Sequence, residues 1–265
     1  MSDMIFLKLG GSLLTDKTRR EAIRHDAMAR LAKEIAEARE RQPEIQLVLG
    51  HGSGSFGHVA AAKHNTRLGV SSSEQWTGFA EVSDAAARLN RYVVTALLET
   101  GVSAVTLSPS ASAVCHDGRL IYLASEPVRA ALDAGLVPIV YGDVAFDTVR
   151  GGTIISTEEV FDYLAHLLKP HRLLLAGETP GVLDREGRVI PFITPSMLPK
   201  IGPLLGGSRG TDVTGGMASK VESMLALVTE QTKLTVSIFS GLEAGVLASI
   251  LGDPNSSTGT QLRNS

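Results

Sequence analysis

Apolar positions along the chain fall into two rhythms. Short runs at residues 4–9, 45–49, 102–107, 136–141, 173–175 and 234–239 have the length and composition of buried strands. Between them, residues 25–41 carry Met28, Leu31, Ile35 and Ala38 at helical spacing among charges, which predicts an amphipathic helix stopped by Pro43. An Ala-rich helix is expected over 79–99, ended by Gly101, with further helices over 159–168 and 221–230. Strands alternating with helices imply βαβ units. The predicted fold class is therefore α/β, with a mostly parallel sheet covered on both faces. No repeat or low-complexity tract interrupts the pattern, and the polar tail after Gly252 is expected to fray. Two lobes suggest themselves, one ending near Lys169 and the other rich in glycine around 202–216.

Composition narrows the function classes. Of 265 residues, 43% are hydrophobic and 20% charged, which excludes a disordered chain. A net charge of −3 and 5% aromatics leave neither the basic face nor the stacking platform of a nucleic-acid binder. The single Cys115 cannot form an intrachain disulfide or a zinc cluster, and reads as a packed thiol in a reducing compartment. No apolar run approaches the ~18–20 residues of a membrane span. The opening MSDMIFLKLGGSLL has an acid and a lysine where a signal peptide would not. A cytoplasmic protein without membrane or nucleic-acid partners is expected.

The 27 glycines matter through their positions, because three glycine-rich segments sit where anions are bound. In the first, Lys8 precedes Leu9, Gly10, Gly11 and Ser12 at a strand end, with Lys17 nine residues on. A cation beside exposed backbone N–H groups suits an anion; a surface lysine before an ordinary turn is the plain alternative. The second, Gly52-Ser53-Gly54-Ser55-Phe56-Gly57, matches G-x-G-x-x-G after a strand. Its acidic partner about 20 residues on would be Glu74, which is not at a strand end, so the dinucleotide reading fails and a phosphate-cradling loop remains. A Walker-type loop is excluded because no Gly-Lys pair occurs. His58 closes this segment, where it can neutralise a phosphate or act as acid or base; His51, His64 and His116 have no such setting. In the third, residues 210–216 precede a helix with Lys220 in its first turn, where helix dipole and lysine attract phosphate together. Three lysines and three glycine loops imply a polyphosphate ligand and a moving phosphoryl group.

These segments, with Gly142-Asp143-Val144 between them, resemble in order the motifs of the amino acid kinase superfamily. Gly-Ser-Phe-Gly-His58 and the Lys8/Lys17 pair are similar to its isopentenyl phosphate kinase branch. The resemblance spans nearly the whole chain. It implies a three-layer αβα sandwich in one domain over 1–265, with an acceptor lobe at 1–169 and a nucleotide lobe at 170–265. It implies transfer from ATP, with Mg²⁺, to isopentenyl phosphate, in a homodimer of the mevalonate-type isoprenoid route. Carried over by position, Lys8, Lys17 and His58 would be catalytic. Lys8, Leu9, Gly10, Gly11, Ser12, Gly54, Glu178, Gly216 and Lys220 would meet ATP. Ser53, His58 and Thr157 would meet the acceptor, Asp143 and Glu158 would organise the lysines, and no side chain is assigned as a metal ligand.

Three positions depart from the family's usual residues: Ser156-Thr157-Glu158-Glu159 for Ser-Gly-Asp-Asp, Glu178-Thr179-Pro180-Gly181-Val182 for Asp-Val-Asp-Gly-Val, and Gly52-Ser53-Gly54 for Gly-Gly-Gly. Trp76, Phe79, Val82, Ala86 and Tyr92 would suit an apolar acceptor tail, and core packing explains them equally well. A kinase of another small phosphate or phosphonate, such as fosfomycin, and a non-catalytic nucleotide-binding protein of this fold are the alternatives.

Overall fold

The structure, a computed structural model, describes residues 3–16, 18–201, 216–256 and 258–264, the side chains of 58–60, 62, 63 and 200 excepted. The chain begins with β1 (Met4–Leu9), the one-turn helix α1 (Gly11–Leu14) and a small hairpin of β2 (Thr15–Asp16) and β3 (Ala22–Ile23). It continues through α2 (His25–Arg41), β4 (Gln46–His51), α3 (Gly54–His64), α4 (Ser73–Glu99) and β5 (Ala104–Thr106). Then come β6 (Val114–His116), β7 (Arg119–Tyr122), α5 (Glu126–Asp133), β8 (Val137–Tyr141), β9 (Asp143–Asp147) and β10 (Gly151–Ile155). The remainder comprises α6 (Thr157–Leu168), β11 (Arg172–Gly177), β12 (Phe192–Ile193), α7 (Leu198–Ile201), α8 (Gly216–Glu230), β13 (Thr235–Ser240), α9 (Val246–Gly252) and β14 (Thr260–Leu262).

Eight strands form the central sheet in the order β12-β14-β13-β11-β1-β4-β8-β5. The pairings from β13 through β5 are all parallel, as expected of βαβ units. The period-2 alternation of β1 assigns its two faces. Ile5, Leu7 and Leu9 join the core beneath α2, α4 and α9, while Phe6 joins the core beneath α5, α6 and α8. Both cores are rich in Leu, Ile and Val; burying one such side chain contributes about 1.5–3 kcal/mol. The result is the three-layer αβα sandwich. By the same alternation Lys8 lies on the Phe6 face, the side occupied by α6 and α8.

Several elements were not legible. A four-stranded sheet, ordered β10-β9-β6-β7, packs against the α6 side, and its strands of three to five residues are too short to show a period. Gly142 therefore links two strands: β8 ends at Tyr141 and β9 begins at Asp143. The tail does not fray throughout. Thr260 and Leu262 are fully buried in β14, which runs antiparallel to β13, and the Thr260 hydroxyl accepts the Val182 N–H at 2.8 Å. Cys115 is buried in β6, where desolvation, and then the charges of Asp147 and Glu159, push its thiol up to about 11. It is the inert thiol that the sequence suggested.

Candidate active site

The carboxyl ends of β1, β4 and β11 lie side by side, and the first two glycine segments follow β1 and β4, where open α/β sheets hold ligands. Gly10 N–H donates to Ala176 O at 2.8 Å and Gly52 N–H donates to Leu9 O at 3.0 Å, which draws the first two glycine segments together. They then touch backbone to backbone. A Cβ on Gly11 would stand 2.3 Å from Gly54 N. A Cβ on Gly54, whose φ is +50°, would stand 2.2 Å from Thr15 Oγ1. Thr15 locks the junction: its hydroxyl donates to Gly11 O at 2.8 Å and accepts Ser55 N–H at 2.9 Å. The second segment is less a loop than expected, since α3 begins at Gly54 with Ser53 as its N-cap residue. In its first turn the Ser55 N–H goes to Thr15 and those of Phe56 and Gly57 to Ser53 O, which leaves the Gly54 N–H as the donor suited to an anion.

Two further helices begin beside this junction. The Thr157 hydroxyl donates to His51 O at 2.6 Å, tying the start of α6 to the end of β4. Ser156 and Glu159 form a capping box there, and Arg67 grips the Glu159 carboxylate at 2.8 and 2.9 Å. The α6 start is thus held rigidly, and it carries Glu158. That carboxylate forms an ion pair with Lys8 and lies 3.6 Å from Lys220 Nζ, in the first turn of α8. Desolvation opposes ionisation of Glu158, but the charges of Lys8 and Lys220 and the Lys8 hydrogen bond outweigh it, holding the carboxyl down to about 2. One anion therefore gathers two cations at a junction of helix N-termini, a field suited to phosphate groups.

The other expected site residues divide. Ser12 is half-buried in α1 and Gly216 opens α8. The Leu9 side chain belongs to the core, so only its backbone faces the junction. Thr157 is a correction: its side chain is buried, with the hydroxyl on His51 O, and a Cβ on Gly50 would stand 2.6 Å from its methyl. That side chain fills the space between α6 and β4 and is not available to an acceptor. Asp143 is a second correction. Its carboxylate accepts the N–H groups of Ser110 and Val144 at 3.1 and 2.8 Å, so it braces the β8–β9 link while Glu158 meets the lysines. Glu178 pairs with Arg24 at 3.1 Å at the end of β11. Lys17, the His58 side chain and residues 210–215 lie outside the described residues.

Thr15, Arg67 and His51 were missed. The Ser156-to-Glu159 spacing is a capping-box signal that marks the start of α6 in the sequence, but nothing there marks Thr15 or Arg67. On the opposite side of α3 from the core, Trp76, Phe79 and Phe146 form an aromatic group with ring centroids 5.2, 5.3 and 5.9 Å apart. Val70, Val82 and Val144 are buried beneath it, while Trp76 and Phe146 remain partly exposed. Tyr92 does not join; it meets Phe56 and His25 edge-on, and Ala86 is buried.

Comparison with known proteins agrees with this geometry. Residues 3–240 match the model of the Amino acid kinase family. The chain is 34% identical over 262 residues to the isopentenyl phosphate kinase of Methanothermobacter thermautotrophicus, covering 94% of this chain and 96% of that one. It is 42% identical over 231 residues to the isopentenyl phosphate kinase of Haloferax volcanii, covering 84% and 88%. A crystal structure of an isopentenyl phosphate kinase superposes with a TM-score of 0.80 at 28% identity, over 98% of this chain and 99% of the other. This chain is a kinase and belongs to the amino acid kinase family.

Proposed function

We propose that this kinase transfers the γ-phosphoryl group of ATP to isopentenyl phosphate, giving isopentenyl diphosphate and ADP. The observation that carries the reading is the Glu158 carboxylate between Lys8 and Lys220. The acceptor is itself a phosphate monoester, already anionic near neutral pH, so the reaction needs no strong general base. It needs two phosphate groups brought together against their repulsion, by alignment and by cations. Lys8 would bridge the two ligands from the centre, and Lys220 would hold the nucleotide phosphates. Lys17 and His58 retain the roles assigned by resemblance: charge on the transferring group and grip on the acceptor phosphate. Glu158 aims both described lysines.

Residues 1–169 would form the acceptor lobe and 170–265 the nucleotide lobe of one domain, in a cytoplasmic homodimer. Among the described residues no helix is long and apolar enough to cross a membrane. Mg²⁺ would arrive with the ATP phosphates and supply further charge neutralisation. The donor set fits that arrangement, since the central carboxylate is engaged by lysines. The aromatic group of Trp76, Phe79 and Phe146 offers an apolar wall for a hydrocarbon tail, which favours isopentenyl phosphate over a compact phosphonate.

Measuring ADP release with isopentenyl phosphate, dimethylallyl phosphate and fosfomycin tests this reading. Turnover with the first two is expected. Turnover with fosfomycin alone would reassign the acceptor, and tight ATP binding with no acceptor used would favour a non-catalytic nucleotide-binding protein.

A further inference from the structure

His51 is completely buried at the end of β4, directly before the glycine segment, and the transfer chemistry does not use it. Its ring stacks on Tyr141 with centroids 5.3 Å apart. Nδ1 lies 3.2 Å from Gly52 O, and Nε2 lies 3.2 Å from Asn90 Oδ1. Asn90, only 4% exposed, also meets Thr106 Oγ1 at 2.7 Å. Burial, the largest influence, and the nearby Lys8 charge hold the imidazole down to about 4 although the Gly52 hydrogen bond favours its charged form, so it is neutral at neutral pH.

A neutral imidazole has one N–H to donate. Nδ1 faces a backbone carbonyl, which can only accept, so Nδ1 carries the hydrogen. Nε2 then accepts, which requires the Asn90 amide, drawn with Oδ1 on the ring and Nδ2 on Thr106, to be turned so that its NH₂ faces Nε2 and its oxygen takes the Thr106 hydroxyl hydrogen. The chain of donors runs Thr106 to Asn90 to His51 to Gly52 O. The consequence lies in the next peptide. In a trans peptide the C=O and the following N–H point in opposite directions. A Gly52 carbonyl held toward the buried ring turns the Ser53 N–H away from the core. Flanked by glycines at 52 and 54, this peptide unit would otherwise rotate easily.

We propose that His51 is a positioning residue: its Nδ1–H holds the Gly52 carbonyl inward so that the Ser53 N–H faces outward as a donor to the acceptor phosphate. The inference rests on the functional reading above for the identity of that phosphate. Asn90 and Thr106 fix the imidazole tautomer.

Two variants separate this role from simple core filling. In His51→Asn the amide nitrogen replaces Nδ1, whereas in His51→Gln it reaches the Nε2 position and leaves Gly52 O unheld. Steady-state kinetics should give an acceptor KM within about twofold of the parent for His51→Asn and about tenfold higher for His51→Gln, with the ATP KM unchanged in both. Nitrogen-15 NMR of the parent protein at pH 7 should find a neutral Nδ1-protonated His51, a result independent of any variant's folding. The Ser53 amide signal should shift with inorganic phosphate in the parent and in His51→Asn, but not in His51→Gln. An Nε2-protonated or charged ring, or equal behaviour of the two variants, overturns the proposal. Should the parent fail to phosphorylate isopentenyl phosphate while the NMR results hold, the functional reading falls and the positioning role stands.

Discussion

As proposed, the site would have two unlike walls. On one, Lys8, Glu158 and Lys220 form a mostly buried charge group whose members are fixed from behind by a strand and two helices. On the other, Trp76, Phe79 and Phe146 meet edge-on or tilted, with Trp76 37% and Phe146 56% exposed. Removing one member of the charged wall leaves the others unbalanced in a poorly solvated place. Removing one ring leaves a shallower apolar surface that water can reach. The charged wall should therefore govern the rate of phosphoryl transfer and the aromatic wall the choice of acceptor, with little exchange between the two roles.

The largest effect is expected from Lys8→Met, which should lower kcat by about 10²–10³-fold with the acceptor KM nearly unchanged, measured by ADP release. A loss confined to KM would break the division. Gly54→Ala comes next. The new Cβ would meet Thr15 Oγ1 at 2.2 Å in a left-handed backbone, so a loss of roughly 1–3 kcal/mol of stability is expected in urea unfolding.

Glu158→Gln should reduce kcat by about tenfold or more, and it also predicts a pH signature. The carboxyl titrates near 2 in the folded protein against 4.5 for an unperturbed glutamate, so the folded state binds this proton less readily than the unfolded state. Its contribution is fully present above pH 4.5 and fades as pH falls toward 2. Urea midpoints measured across that range should fall less steeply in Glu158→Gln than in the parent.

Much of the charged wall was legible because its parts are marked locally. Lys8 precedes two glycines at a strand end, and Lys220 stands in a helix's first turn after a glycine pair. What joins them was not written in either place, because the Lys8–Glu158 contact spans 150 positions of chain. Thr157 illustrates the limit. Its neighbours suggested a residue facing the acceptor, yet the helical turn that aims Glu158 at the lysines points the Thr157 hydroxyl at His51 O. The aromatic wall was half legible: Trp76 and Phe79 share a face of α4, but Phe146 comes from a five-residue strand whose sheet had no readable period. His51 was passed over because burial, not sequence context, distinguishes it.

On the aromatic wall, Trp76→Ala and Phe146→Ala should raise the KM for isopentenyl phosphate by roughly fivefold while leaving kcat and the ATP KM within about twofold. An equal effect on a short alkyl phosphate would show that the rings do not meet the tail. The smallest effect belongs to Thr157→Ser. The hydroxyl that reaches His51 O is kept and the methyl does not face the ligand, so acceptor KM should stay within about twofold. A larger change would return Thr157 to the acceptor site.

The central claim is that the paired lysines deliver a phosphoryl group onto another phosphate. Phosphorus-31 NMR of the enzyme with ATP, Mg²⁺ and isopentenyl phosphate tests it most directly. The account predicts loss of the monophosphate signal and growth of a coupled diphosphate pair matched one-for-one by ADP. An unchanged monophosphate signal, with ATP either intact or hydrolysed to inorganic phosphate, would contradict it.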